Sequence, residues 1–508
     1  EDEEVKEEDP FKPIDLSKDH QVQLVQQLLK NTASPRRDET LEDIRATLEN
    51  LKKSEEERVV AALDKAGIDW SEGKSQEAPK PVATLSLDPT SDEMITAGEK
   101  VTITISVTNE SDGALYRMFA ISESKNPLLD KLEFPLGKIE KRTTKRYSND
   151  VEIPKTALDR NDEFIIKFSE LNDHIPKDIH GSLTIEALKR PQFAYSYQVV
   201  ESGTDGRRPN DNGLVQRGEH IDLLVTVKNI GEGKSTKNVV ALRELSNKEV
   251  FVEKGSQEIG ELAPGETKTV SLRFHVRESI EANEFTMSLV IRDTTFGTYL
   301  TDKLTFPILE PTFTPSLADV SKDLIVTRND TFAYGGRSTD APIMAHMIKG
   351  NLLKADGWVP GWYRVKLPNG GWGWVVVRDV AETDKYAAED VLTELYVQHT
   401  PPFIEINPYS HTSNTLRTMI SGRITDNDGV KHIYIMVNND KVYLNSPEKA
   451  AETKELMFKA EIPLEEGPNT VTVIARDATG LVASRSFVTS ATPALAKGIG
   501  EGLETELQ

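Results

Sequence analysis

The chain has 508 residues, and 61 Lys and Arg against 83 Asp and Glu leave a formal charge of −22. That balance excludes nucleic acid and an anionic membrane surface as main partners, because both are held through clustered basic side chains. The absence of cysteine excludes disulfides, thiolate zinc sites and Cys nucleophiles, and no run of about 18 apolar residues predicts a membrane-spanning helix.

Residues 1–15 form a predicted acidic linker, since seven of the first nine side chains are acids with no apolar periodicity. The start on Glu1, without Met or a charged-then-apolar leader, predicts an internal piece or a processed product. Residues 16–75 read as a small helical unit. Asp19 is a candidate N-cap before Val22, Val25, Leu28 and Leu29, and Thr40 precedes Leu41, Ile44, Leu48 and Leu51 at the same spacings. A third helix is expected over 55–66, closed by Gly67. So small a core predicts that the unit packs on something outside this chain.

A strand signature then appears twice, 120 residues apart. The run from Ala97 to Asn109 is answered by the run from Arg217 to Asn229, with Gly98/Gly218, Val101/Ile221, Ile103/Leu223, Ile105/Val225, Val107/Val227 and Asn109/Asn229 in register. Apolar residues at period two give each strand one buried face, and the shared pattern predicts two copies of one β-domain. They are expected at 80–189 and 190–310 as antiparallel sandwiches, with turns at Asn229-Ile-Gly-Glu-Gly233 and Ala263-Pro-Gly265. The Gly-Glu…Val-x-Val-x-Asn pattern resembles bacterial sandwich modules related to the fibronectin type III and immunoglobulin folds, including the CARDB modules. That resemblance implies spacing or presentation of other domains.

Four of the five tryptophans lie between Trp358 and Trp374. Lys349-Gly350, Trp362-Tyr363-Arg364-Val365, Asn369-Gly370 and Gly373-Trp374-Val375 resemble the pattern of a bacterial SH3-like domain, expected at 317–382. The departure is at its front, where the usual Asn-x-Arg reads Thr331-Phe-Ala-Tyr334, which leaves the family's ligand groove unsupported. Trp358, Trp362, Tyr363, Trp372 and Trp374 are the candidate binding residues. Trp372 and Trp374 are two apart and share a strand face, and the set can floor a site for a peptide or a sugar ring. The competing expectation puts Trp362 and Trp374 in the module's core and leaves Trp358 and Trp372 open.

Residues 383–399 are expected to form a linker helix through Val391, Leu392, Leu395 and Tyr396. Residues 400–490 are similar to bacterial immunoglobulin-like modules, through Gly422-Arg-Ile-Thr-Asp426 and Glu466-Gly-Pro-Asn-Thr-Val-Thr-Val-Ile-Ala-Arg-Asp-Ala-Thr-Gly480. Residues 491–508 form a polar tail.

Catalytic chemistry is not predicted. No Gly-x-Ser-x-Gly is present, and Ser122-x-x-Lys125 and Ser446-x-x-Lys449 are expected as solvated surface. The nine histidines are scattered, and His174 and His180 fix no metal geometry. Asp426-Asn-Asp-Gly429 carries oxygens at alternate positions, as calcium loops do, but lacks the remaining ligands. An Asx turn explains it more simply, so Asp426 and Asp428 are weak metal candidates and no cofactor is expected.

The segment Asp19-His-Gln-Val-Gln-Leu-Val-Gln-Gln-Leu-Leu29 resembles the helix that follows the catalytic core of carboxyl-terminal processing (tail-specific) serine peptidases. Neither the family's catalytic Ser nor its Lys base is matched, so no catalytic residue carries over. The resemblance implies the C-terminal, non-catalytic region of such a peptidase, in a bacterial periplasm or cell envelope. The expected fold class is mainly β and multidomain: helical unit, two β-sandwiches, SH3-like barrel, immunoglobulin-like sandwich. The expected role is a non-catalytic extracytoplasmic scaffold that presents a protein or peptide to the peptidase; peptidoglycan anchoring and surface adhesion are the alternatives.

Overall fold

The period-two alternation becomes strands with one buried face. In Lys100–Asn109 and His220–Asn229 the residues Val101, Ile103, Ile105 and Val107, and Ile221, Leu223, Val225 and Val227, are buried. The computed structural model describes residues 37–492 apart from 75–79, 91–93, 203–211, 246–249, 311–316, 368–370, 386–393 and 396. The acidic linker, the expected helix at 22–29, the Asn369-Gly370 turn and the tail beyond 492 lie outside the described residues. The chain is mainly β and multidomain.

In the first sandwich one sheet orders Pro81–Asp88, Lys100–Asn109 and Thr144–Glu152. The facing sheet orders Ile95–Thr96, Ile179–Glu186, Arg160–Ser169, Leu115–Ser124 and Glu133–Ile139. The second sandwich repeats this wiring with Phe193–Ser202, His220–Asn229 and Thr267–Val276 facing Val215–Gln216, Tyr299–Leu309, Glu284–Asp293, Ser235–Glu244 and Ser256–Leu262. It adds one edge strand, Val250–Lys254. Residues 403–491 use the same wiring a third time, although the repeated sequence signature is absent there. Phe403–Ile406, Arg417–Thr425 and Glu455–Pro463 face Thr412–Ser413, Val482–Ala491, Gly467–Asp477, Val430–Val437 and Asp440–Asn445. In all three a two-residue strand pairs parallel with the last strand.

Both repeat asparagines are buried and staple the turn after their strand. Asn109 Nδ2 donates to Gly113 O at 2.7 Å, and Asn229 Nδ2 donates to Gly233 O at 2.8 Å and Leu262 O at 3.1 Å. The glycines of the second turn have a separate cause. A Cβ on Gly233 would stand 1.8 Å from Lys189 O, so the connection between the sandwiches runs against a surface only glycine permits.

Residues 318–382, with Glu394–Leu395, form a curled sheet ordered Val380–Glu382, Ala318–Val326, Leu352–Val359, Trp362–Lys366, Trp372–Val376, Thr331–Tyr334, Ile343–Met347 and Glu394–Leu395. Its core includes Leu324, Met344, Leu353, Tyr363, Val365 and Val375. Glu394–Leu395 corrects the expected linker helix at its end: these residues pair with Ala345 and His346 as a strand, and 386–393 lie outside the described residues. Next, Tyr195 and His399 exchange backbone hydrogen bonds at 3.0 and 2.9 Å. Gln398 Oε1 accepts from Tyr197 N at 3.2 Å while its Nε2 donates to Ile343 O at 2.6 Å. This segment therefore clamps the curled sheet to the second sandwich.

The helical unit is corrected as well. The two expected helices after Thr40 are one continuous helix, Arg37–Lys65, because Lys52-Lys53-Ser54 supplies no Gly or Pro to break it. Leu48 and Val59 are exposed, so these two side chains bury no core among the described residues of the unit. Gly67 closes the helix at φ +77°. The segment after Gly67 docks on the first sandwich: Lys138 N donates to Asp69 O at 2.6 Å, and Trp70 meets Phe119 edge-on with centroids 6.4 Å apart. Gly137 permits this approach, since a Cβ there would lie 2.5 Å from Asp69 O.

Candidate functional site

Strand parity decides which aromatics face outward. Tyr363 pairs with Val375 and both belong to the module's core, so their neighbours Trp362, Arg364 and Trp374 turn to the opposite side of the sheet. Of the two tryptophans expected in the core, Trp374 is buried, 3 % exposed, beneath the Arg337 guanidinium 5.4 Å from its ring centroid, and Trp362 is half-buried; both pack on the side of the sheet opposite the Leu324–Val365 cluster. Trp372, 38 % exposed, shares that face, and the Arg364 guanidinium lies 4.8 Å from its centroid. Asp356 fixes Arg364 through two hydrogen bonds of 2.9 and 3.1 Å. An arginine held flat in this way caps an indole with less loss of rotamer freedom than a free one.

The segment that departs from the SH3-like pattern completes the face. Tyr334 pairs with Trp374 and meets the Trp362 ring edge-on at 5.8 Å. Phe332, two residues before, lies 6.4 Å from Tyr334 and stacks on His346 at 5.2 Å. A row of rings thus runs His346, Phe332, Tyr334, Trp362, with Trp374 and Trp372 alongside. Sequence reading missed Phe332 and Tyr334, although their spacing of two beside the Trp cluster was a usable signal.

Two of the five candidates stand apart. Tyr363 is buried in the core and its hydroxyl donates to Glu382 Oε1 at 3.3 Å. The Lys322 ammonium hydrogen-bonds the same Glu382 carboxylate and holds it below the usual carboxylate range. Trp358, 37 % exposed, follows an irregularity between Ala355 and Gly357 and makes no ring contact with the other four among the described residues.

Ser122 is corrected from surface to interior. It is fully buried, donates from Oγ to Leu129 O at 2.5 Å and accepts from Leu132 N at 2.8 Å, pinning a loop. Ser446 is exposed, and Lys449 pairs with Glu452 at 3.0 Å. Asp426 and Asp428 sit in the expected Asx turn, Asp426 Oδ1 accepting from the N–H of Asp428 at 2.7 Å and of Gly429 at 2.8 Å. The structure also gathers His220, Glu253 and His275 on neighbouring strands of the second sandwich, with the imidazoles stacked at 4.1 Å. Their distance along the chain hides that grouping from a spacing search.

A cleft of about 1320 Å³ lies between the first and last sandwiches. Its buried carboxylate, Asp162, is already engaged by Arg160 and by Asn126 Nδ2 at 2.8 Å. It is therefore space between packed modules, and the aromatic face carries the richer chemistry.

No protein-family model matches this chain, and no curated protein matches it. Among solved structures, a protein of unknown function from Porphyromonas gingivalis W83 is 9% identical over 46% of this chain and 99% of its own, with a TM-score of 0.16. A structure bearing on host cell surface retention of a 1.5-MDa bacterial ice-binding adhesin is 11% identical over 82% of this chain and 100% of its own, with a TM-score of 0.21. A Ca2+-stabilized adhesin that helps an Antarctic bacterium reach out and bind ice is 12% identical over the same shares, with a TM-score of 0.19. Likeness at these scores carries no argument about activity. No helix among the described residues is long and apolar enough to cross a membrane.

Proposed function

We propose that this chain is a non-catalytic, extracytoplasmic scaffold that binds a protein or peptide partner on the outer aromatic face of its SH3-like module. The observation that carries this reading is the part-exposed Trp372 paired with the Arg364 guanidinium, beside the Phe332–Tyr334–Trp362 row. Flat rings give apolar contact area at small entropic cost, and Arg364 adds donors for backbone carbonyls or carboxylates. The three like-wired sandwiches act as the frame. The finer setting, presentation of substrate to a carboxyl-terminal processing serine peptidase, rests on the resemblance of the segment ending at Leu29, which lies outside the described residues. Aromatic floors also stack on sugar rings, so peptidoglycan is the second reading.

The test probes immobilised chain with a library of unstructured peptides and, separately, with purified sacculi. Trp372→Ala and Arg364→Ala are each expected to weaken peptide capture at least about tenfold, as hot-spot truncations do. The melting temperature should move little, because both side chains are partly exposed. Peptide capture unchanged in both variants overturns the reading, and capture of sacculi alone moves it to the cell wall.

A further inference from the structure

The turn that holds Asp426 and Asp428 has a third member that no spacing rule links to it. Asp477 ends the strand Gly467–Asp477 and brings a carboxylate oxygen to within 4.8 Å of ligand oxygens from both Asp426 and Asp428. Asp477 is fully buried. Its Oδ1 accepts from Thr479 Oγ1 at 2.8 Å, Gly480 N at 2.6 Å and Leu481 N at 2.8 Å, whereas its Oδ2 is buried with no hydrogen-bond partner at all. An orphaned carboxylate oxygen in a protein interior is costly. Asp426, 8 % exposed, has the same division of labour, with both of its turn hydrogen bonds ending on Oδ1. Neither these two nor Asp428 takes part in an ion pair among the described residues.

We propose that Asp426, Asp428 and Asp477 form a binding site for one hard divalent cation, with Ca2+ the ion it fits best. The donors are all oxygen, which suits calcium or magnesium and not the softer transition metals. Ligand oxygens within 4.8 Å of one another can all reach one ion, and calcium accepts an irregular oxygen set from turns and strand ends, whereas magnesium demands near-ideal octahedral geometry. The backbone is shaped for the turn as well. Gly429 sits at φ +102°, and a Cβ there would lie 2.3 Å from Ala450 O. The bound ion would also brace a joint, because Leu481, four residues on from Asp477, is buried in the core of the second sandwich.

Calorimetric titration of the full chain with CaCl2 after chelator treatment, paired with melting curves in chelator and in millimolar Ca2+ or Mg2+, tests this. The wild type is expected to take up Ca2+ at this site and melt several degrees higher with it, with a smaller response to Mg2+. Asp477→Asn keeps the Oδ1 hydrogen bonds and removes the charge. It is expected to melt no lower than wild type in chelator, to bind one equivalent fewer of Ca2+ and to lose the calcium-dependent rise. Asp428→Asn, on an exposed side chain, should weaken binding at least tenfold with the fold intact. Equal calcium uptake and equal melting shifts in wild type and Asp477→Asn, or no response of the wild type at millimolar Ca2+, overturn the proposal.

Discussion

Asp302→Ala is expected to destabilise the second sandwich by about 2–3 kcal/mol and to release the segment that ties the curled sheet of residues 318–395 to it. Tyr195 is fully buried, its hydroxyl donates to Asp302 Oδ2 at 2.6 Å, and His399 Nδ1 lies 3.3 Å from the same oxygen with its ring stacked on Tyr195 at 4.5 Å. Removing the acceptor leaves a buried phenol donor unpaired, the costlier half of a broken hydrogen bond. Burial pushes the Asp302 carboxyl up, but hydrogen bonds from His399 and Tyr195 outweigh it and hold the group below its usual range. A depressed carboxylate contributes stability that is present above the unfolded value of about 3.9 and is lost as pH falls through the lower folded value. The difference in melting temperature between wild type and Asp302→Ala should therefore be full at neutral pH and shrink below about pH 4. Hydrogen exchange at the Tyr195 and His399 amides, which bond to each other's carbonyls, should speed up in the variant.

Phe274→Ala is expected to cost the second sandwich about 3–5 kcal/mol, the range for removing a large ring from a packed core. Phe274 is fully buried, with Phe285 and Phe306 at centroid distances of 5.6 and 6.0 Å. Three aromatic side chains meet there, so the space left by one cannot be refilled by a small shift of backbone. Leu481 of the last sandwich is buried in the same core, so calorimetry should show the transitions of the second and last sandwiches drawn apart, with the first sandwich unmoved.

What was legible in the sequence was what a strand's own residues decide. Val101 through Val107 and Ile221 through Val227 alternate because one face is buried, and Gly98 and Gly218 stand at φ +92° and +79° as their shared position before the strand requires. The third use of the same wiring was hidden, because the parallel pairing of Thr412–Ser413 with the last strand is a long-range event that few residues encode. The stretch containing Leu395 has helical spacing, yet pairing with Ala345 takes its end into a sheet, which is tertiary context overriding local pattern. In residues 318–382 the aromatic spacing was legible, but sidedness had to be counted from the core: with Tyr363 and Val375 inside, Trp362 and Trp374 lie on the other side of the sheet, where Trp374 is buried all the same. Asp477 was invisible as a partner of Asp426, since only the sandwich fold brings the two turns together.

On the proposed reading the chain works through surfaces it offers and performs no bond cleavage of its own. Incubating the purified full chain with an unstructured protein substrate and following the products by mass spectrometry tests that most directly. Intact substrate after prolonged incubation is the expected result; cleavage products that vanish on treatment with a serine-directed inhibitor would contradict it.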